Sequence, residues 1–102
     1  MNHAKYTIRL LQAAEEDFKE VITYIALDNP LAAEATANKI EKSLSNISHY
    51  PLIGKIPVER ELTSMGYRFL IIQNYLVFYT VEEYNVWVHC IIHGARDYLG
   101  LL

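Results

Sequence analysis

Two strand-length runs separated by only two residues constrain this chain more than any other feature. Tyr67-Arg68-Phe69-Leu70-Ile71-Ile72 and Tyr75-Leu76-Val77-Phe78-Tyr79-Thr80-Val81 are dense in β-branched and aromatic residues, and Gln73-Asn74 between them suits a tight hairpin turn. A two-residue loop also sets the register, placing Arg68 opposite Tyr79. A second polar break, Glu82-Glu83-Tyr84-Asn85, precedes Val86-Trp87-Val88-His89-Cys90-Ile91-Ile92, which adds a third strand beside the second. In the middle strand Tyr75, Val77, Tyr79 and Val81 point one way and Leu76, Phe78 and Thr80 the other, so both faces of the sheet are apolar and both need cover.

The rest of the chain supplies cover for one face. Tyr6, Ile8 and Leu10 alternate with Thr7 and Arg9, the period of a half-buried strand that joins the edge of the sheet. From Ala13 the period changes: Phe18, Val21, Ile22 and Ile25 fall on one side of a helix, with Glu15, Glu16 and Asp17 in its first turn, where negative charge suits the helix dipole. Asp28-Asn29-Pro30 ends that helix and starts another, whose stripe of Ala33, Ala37, Ile40, Leu44 and Ile47 runs to His49-Tyr50-Pro51. The spacing predicts an antiparallel helical hairpin over Ala13–Leu27 and Pro30–Ser48, packed through Phe18, Ile22, Ile25, Ile40, Leu44 and Ile47. The turn-rich stretch from Pro51 to Gly66 reads as a loop. The expected architecture is one α+β domain spanning residues 1–102: N-terminal strand, helical hairpin, then a three-stranded antiparallel meander joined by the N-terminal strand.

A chain of 102 residues with 52% hydrophobic and 21% charged residues has the balance of a single soluble domain. No apolar run approaches the ~20 residues a membrane span requires, and Met1 to Lys5 lacks the blocks of a signal peptide, so the expected setting is cytoplasmic, with no membrane partner. A net charge of −3 lacks the footprint of a strong nucleic-acid binder. The single cysteine, Cys90, sits in an apolar strand and reads as a core residue.

No phosphate-cradling glycine array and no nucleophile elbow is present, and no cofactor is implied. His89 and His93 resemble a metal pair, but four residues along a strand is about 13 Å, too far to share one ion. The chemistry concentrates at the exit of the third strand, His93-Gly94-Ala95-Arg96-Asp97. His93 there is either an acid–base group or a structural histidine; Arg96 is either a fork for an anion or half of a local pair with Asp97. Arg68 is the other cationic candidate, and the hairpin register sets it well apart from Arg96. Tyr75 and Tyr79 are spaced as core residues that also offer aromatic contact area.

The order of these elements, with Asp28-Asn29-Pro30, Pro51-Leu52-Ile53-Gly54, Gly66-Tyr67-Arg68, Asn74-Tyr75-Leu76-Val77-Phe78-Tyr79 and His93-Gly94-Ala95-Arg96-Asp97, resembles the RelE/ParE superfamily, the toxins of bacterial type II toxin–antitoxin modules. The resemblance implies a toxin neutralised by a cognate antitoxin, with either of two activities. RelE-like members cleave messenger RNA on the ribosome with basic side chains from the sheet, an arginine after the last strand and often a C-terminal tyrosine. ParE-like members poison DNA gyrase.

Carried onto this chain, Arg68 and Arg96 match two of the nuclease positions, with His93 and Tyr98 as further catalytic candidates. Leu70 and Leu76 stand where other cations would be, Leu102 falls at the tyrosine position, and Tyr98 is out of register. The Asn74–Tyr79 run looks like the ParE-like and plasmid-stabilisation branch. The resemblance therefore implies growth inhibition through gyrase, with ribosome-dependent RNA cleavage, or a toxin reduced to binding its antitoxin, as alternatives. Arg68, Tyr75, Tyr79 and Arg96 are the candidate contacts to target or antitoxin, and the sheet face away from the helices is the expected antitoxin surface.

Overall fold

The structure is a computed structural model in which residues 5–94 are described. Strand β1 (Thr7–Leu10) leads directly into helix α1 (Gln12–Asp28), and α2 (Pro30–His49) follows after one residue. That residue, Asn29, does two jobs. Its backbone N–H closes α1 on the Ile25 carbonyl at 2.8 Å, while its side chain accepts from Ala32 N–H at 3.1 Å and caps α2, with Pro30 in the first turn. Both helices run within a residue of the predicted bounds. A short α3 (Arg60–Ser64) then precedes β2 (Arg68–Ile72), β3 (Tyr75–Glu82) and β4 (Asn85–His93).

The four strands form one mixed sheet in the order β1-β4-β3-β2. The meander is antiparallel, with Arg68 opposite Tyr79 and Ile72 opposite Tyr75. Gln73 takes a positive φ of 56° at the first turn, and Glu83 one of 57° at the second. The N-terminal strand holds the edge as expected, and it runs parallel to β4, because α1 and α2 return the chain to the side on which it began.

The third strand departs from simple alternation. Phe78 pairs with Cys90 but Tyr79 with Val88, so His89 is an extra residue, a β-bulge. Val86, Val88 and Ile91 consequently join the helix-side core, while Cys90 and Ile92 join the cluster opposite.

On the helix side, Ala14 of α1 and Ile40, Leu44 and Ile47 of α2 are buried against Ile72, Val77, Tyr79, Val86, Val88 and Ile91. Phe18 and Val21 pack at the margin of this core. Ile22 and Ile25 are only half-buried, so α1 leans on the sheet chiefly through its first half. Thr36 on α2 donates to the Gln73 side chain at 2.9 Å, fastening the hairpin turn to the helix.

The opposite face corrects an expectation. It is not left as an open apolar sheet: Phe78 is fully buried, Cys90 and Ile92 nearly so, and Leu62 from α3 packs there with Tyr67. A five-residue helix inside a stretch read as loop supplies part of that cover. On this face Ile71, the cross-strand partner of Leu76, stays exposed, and other exposed large apolar side chains include Tyr24, Leu27 and Leu31 at the tip of the helical hairpin and Val58 in the loop before α3.

Candidate functional site

The sequence candidates separate into two groups at opposite ends of β3. At one end Arg68 and Tyr79 share a cross-strand pair on the helix side and turn toward the loop that follows α2. Arg68 Nη1 donates to the carbonyls of Leu52 and Gly54 at 3.1 and 3.2 Å. The Tyr79 hydroxyl accepts from Gly54 N–H at 2.9 Å and donates to the Pro51 carbonyl at 2.8 Å.

A Cβ at Gly54 would sit on the Tyr79 ring, so only glycine lets the loop approach this closely. Burial raises the Tyr79 phenol above its ordinary value, against a smaller opposing pull from Gly54 N–H and Arg68. Tyr79 is fully buried, so it has no surface to offer a partner in this arrangement. Arg68 is half-buried and spends donors on loop backbone.

At the other end Tyr75 and His93 are cross-strand neighbours whose rings meet edge to face, 5.7 Å between centroids at 87°. Gly94 N–H donates to the Asn74 carbonyl at 2.7 Å and ties the exit of β4 to the first hairpin turn. Tyr75 and His93 thus stand together beside Gly94, where the described residues end. Arg96 and Tyr98 themselves lie outside the described residues. Tyr75 and Tyr79 are four residues apart on β3, about 13 Å at the usual rise, so the two groups do not converge.

A third constellation was not anticipated. In sequence His89 offers only half of a metal pair that is too widely spaced to share an ion. The bulge turns it onto the second face, where Nδ1 lies 3.2 Å from the Tyr67 hydroxyl and Nε2 lies 2.9 Å from Thr80 Oγ1. Burial lowers its pKa from the ordinary histidine value, and burial together with Cys90 raises that of Tyr67.

These three side chains border a hollow of about 290 Å³ that also touches Glu82. On the other flank of β4 the Arg9 guanidinium stacks 5.6 Å from the Trp87 ring centroid while its Nε donates to Asn85 Oδ1 at 2.7 Å. The one available signal was Thr80, a hydroxyl in an otherwise apolar alternation. His93 stacks on helix-side Tyr75, so the two histidines leave β4 on opposite faces. Among the described residues no group of three metal-ligating side chains converges.

The family model for the ParE toxin of type II toxin–antitoxin systems, parDE, matches residues 8–98. The chain belongs to the ParE toxin family. As a ParE-family toxin, it has an α+β fold shared with solved toxin–antitoxin structures. The chromosomal ParDE system from P. aeruginosa aligns with a TM-score of 0.72 at 12% identity, over 88% of this chain and 97% of that one. The toxin–antitoxin complex RelBE2 from Mycobacterium tuberculosis aligns with a TM-score of 0.64 at 22% identity, over 93% of this chain and 98% of that one. At those identities the likeness is one of fold. No curated protein matches the chain.

Proposed function

We propose that this ParE-family chain arrests growth by acting on DNA gyrase in the cytoplasm, stabilises the replicon that carries it, and is held inactive by a cognate antitoxin. The observation that carries the choice of target is the use made of the sheet's positive charge. Cleaving RNA through a transition state with spread negative charge requires several placed cations. Here Arg68 is bonded to the Leu52 and Gly54 carbonyls, Leu70 packs against the helix-side core, and Leu76 packs with Phe78, Cys90 and Ile92. A face built this way suits contact with a protein better than in-line attack on a phosphodiester. The surface around Tyr75 and His93 is the proposed contact with the target, and Arg96, which lies outside the described residues, is proposed to take part in it.

The test is induced expression without antitoxin, scoring DNA supercoiling and ribosome-bound message in the same cultures. Relaxed or broken DNA with intact message is the expected result. Message cut at codon edges with normal supercoiling would overturn the gyrase reading in favour of a ribosome-dependent nuclease. Undisturbed growth would mark a toxin that only binds its antitoxin.

A further inference from the structure

We propose that the hollow between the end of α3 and the β3–β4 hairpin binds a primary carboxamide, the group carried by an asparagine or glutamine side chain or by a small free amide. The hollow lies at the far end of β3 from Tyr75, apart from the surface assigned to the target. What its side chains leave unspent in hydrogen bonding defines the ligand.

His89 stands between two hydroxyls, with Nδ1 3.2 Å from that of Tyr67 and Nε2 2.9 Å from Thr80 Oγ1. Burial keeps the ring neutral near pH 7, with one N–H and one lone pair. If Nδ1 carries the hydrogen it donates to Tyr67, and Thr80 donates to Nε2; if Nε2 carries it, the roles exchange. In either tautomer one hydroxyl spends its hydrogen on the ring and the other keeps one to give. Tyr67 and Thr80 both line the hollow, and among the described residues nothing takes that surplus hydrogen.

Glu82 supplies the opposite need. Its exposed carboxylate borders the same hollow, can only accept, and meets no donor among the described residues. Glu83 follows it in the turn, and none of the described lining residues is a lysine or arginine. The hollow therefore calls for one acceptor and one donor. A carboxylate or phosphate would take the hydroxyl hydrogen but face Glu82. An ammonium or guanidinium ion would suit Glu82 but bring only donors to a hydroxyl that has a hydrogen to give. A primary carboxamide carries both, its carbonyl for the hydroxyl and its NH₂ for the carboxylate.

Room and rigidity fit the same ligand. A volume of about 290 Å³ is several times the ~30 Å³ share of a water in the liquid, enough for an amide head and its stem, with Met65 as an apolar flank. Tyr67 is held edge to face by His89, 4.8 Å between centroids at 69°, and by Phe78, 6.4 Å at 82°, so its hydroxyl is set before a ligand arrives. Gly66 puts no side chain at the rim, and a Cβ there would meet nothing within 4 Å, so the mouth stays open.

The test follows the His89 ring by NMR while the folded chain is titrated with three near-isosteres: propionamide, propionate and propionamidinium. The remaining histidines serve as internal controls. Propionamide should shift His89 selectively and saturate at a concentration about tenfold or more below that of either ion. Glu82→Ala should raise that concentration by a similar factor with Tm unchanged, since the side chain is exposed. N-acetylglutamine N-methylamide and nicotinamide separate the sources: stronger binding by the first assigns the amide to a protein side chain, stronger binding by the second to a free small molecule, and either supports the site. A His89 ring that no probe shifts would mean a hollow that holds water only, and would overturn the proposal. Equal response to propionate or propionamidinium, or propionamide binding unchanged in Glu82→Ala, would overturn it as well.

Discussion

The Asp17 carboxylate, one and a half turns into α1, accepts the backbone N–H of Ile91 at 3.0 Å, across 74 positions of sequence. Strand β1 stops at Leu10, opposite Val88, so the later part of β4 has no strand on that side, and a helix side chain takes over the ladder. Removing the acceptor leaves a part-buried donor unpaired, for which Asp17→Ala should cost about 1–3 kcal/mol. Asp17→Asn, which keeps an oxygen in reach, should recover much of the loss. Urea unfolding of the three proteins checks this, and an alanine variant with an unchanged midpoint would show that water replaces the carboxylate at no cost.

The Tyr79 hydroxyl holds the loop after α2 from beneath. Tyr79→Phe preserves the ring in the core but strands Gly54 N–H, at an expected cost of about 1–3 kcal/mol. Gly54→Ala attacks the same contact from the other side and should destabilise by about 1–3 kcal/mol or more through overpacking. The double variant should be less damaging than the sum, since each change disrupts the same packing. Strict additivity of the midpoints would separate the two sites.

The two candidate arginines should behave differently. Arg68 secures loop carbonyls, so Arg68→Ala should lower Tm, with a cost of about 1.5–3 kcal/mol if both bonds are lost. Arg96→Ala should leave Tm nearly unchanged and weaken growth inhibition. Thermal melts beside growth curves make the comparison. An Arg68 variant with native Tm and lost toxicity would move that residue from the scaffold to the target surface.

His89 should make stability pH-dependent. Burial disfavours its imidazolium, so the folded chain holds that proton less tightly than the unfolded chain, whose value lies near 6.5. The unfolded state then binds more protons below that value. The contribution is fully present above about pH 6.5 and is lost as pH falls toward the lower folded value. His89→Gln should flatten this part of the profile, and the His89 ring signals followed by NMR should titrate below the free-histidine range. A wild-type ring titrating at or above the free value would reverse the sign.

The hairpin register was legible from Gln73-Asn74, because a two-residue loop leaves no freedom: Arg68 does face Tyr79. The helices were legible because Ile40, Leu44 and Ile47 repeat at helical spacing and Asn29-Pro30 carries its own cap. The parallel run of β1 was not, since Tyr6, Ile8 and Leu10 alternate identically in either direction. Helix α3 was missed because five residues are too few to display a period. The bulge was hidden because β4 is apolar on both faces, so a slip of phase breaks no pattern.

Site residues fared less evenly for a related reason. Arg68 and Tyr79 carry chemical groups that read as functional, and only the fold shows those groups turned to Pro51, Leu52 and Gly54. Asp17 looked like ordinary first-turn charge, since nothing local points to a partner 74 positions away.

The bulge also bears on how His89 came to be where it is. Striking that residue out would leave Val86, Val88 and Ile91 on the helix side and Trp87, Cys90 and Ile92 opposite, an unbroken two-residue rhythm with no apolar side chain turned over. His89 is a parenthesis in the strand, and the sentence reads correctly without it. Its position answers to Tyr67 and Thr80 rather than to the sheet, which makes it the one residue of β4 free to be gained, lost or exchanged without rewriting the core.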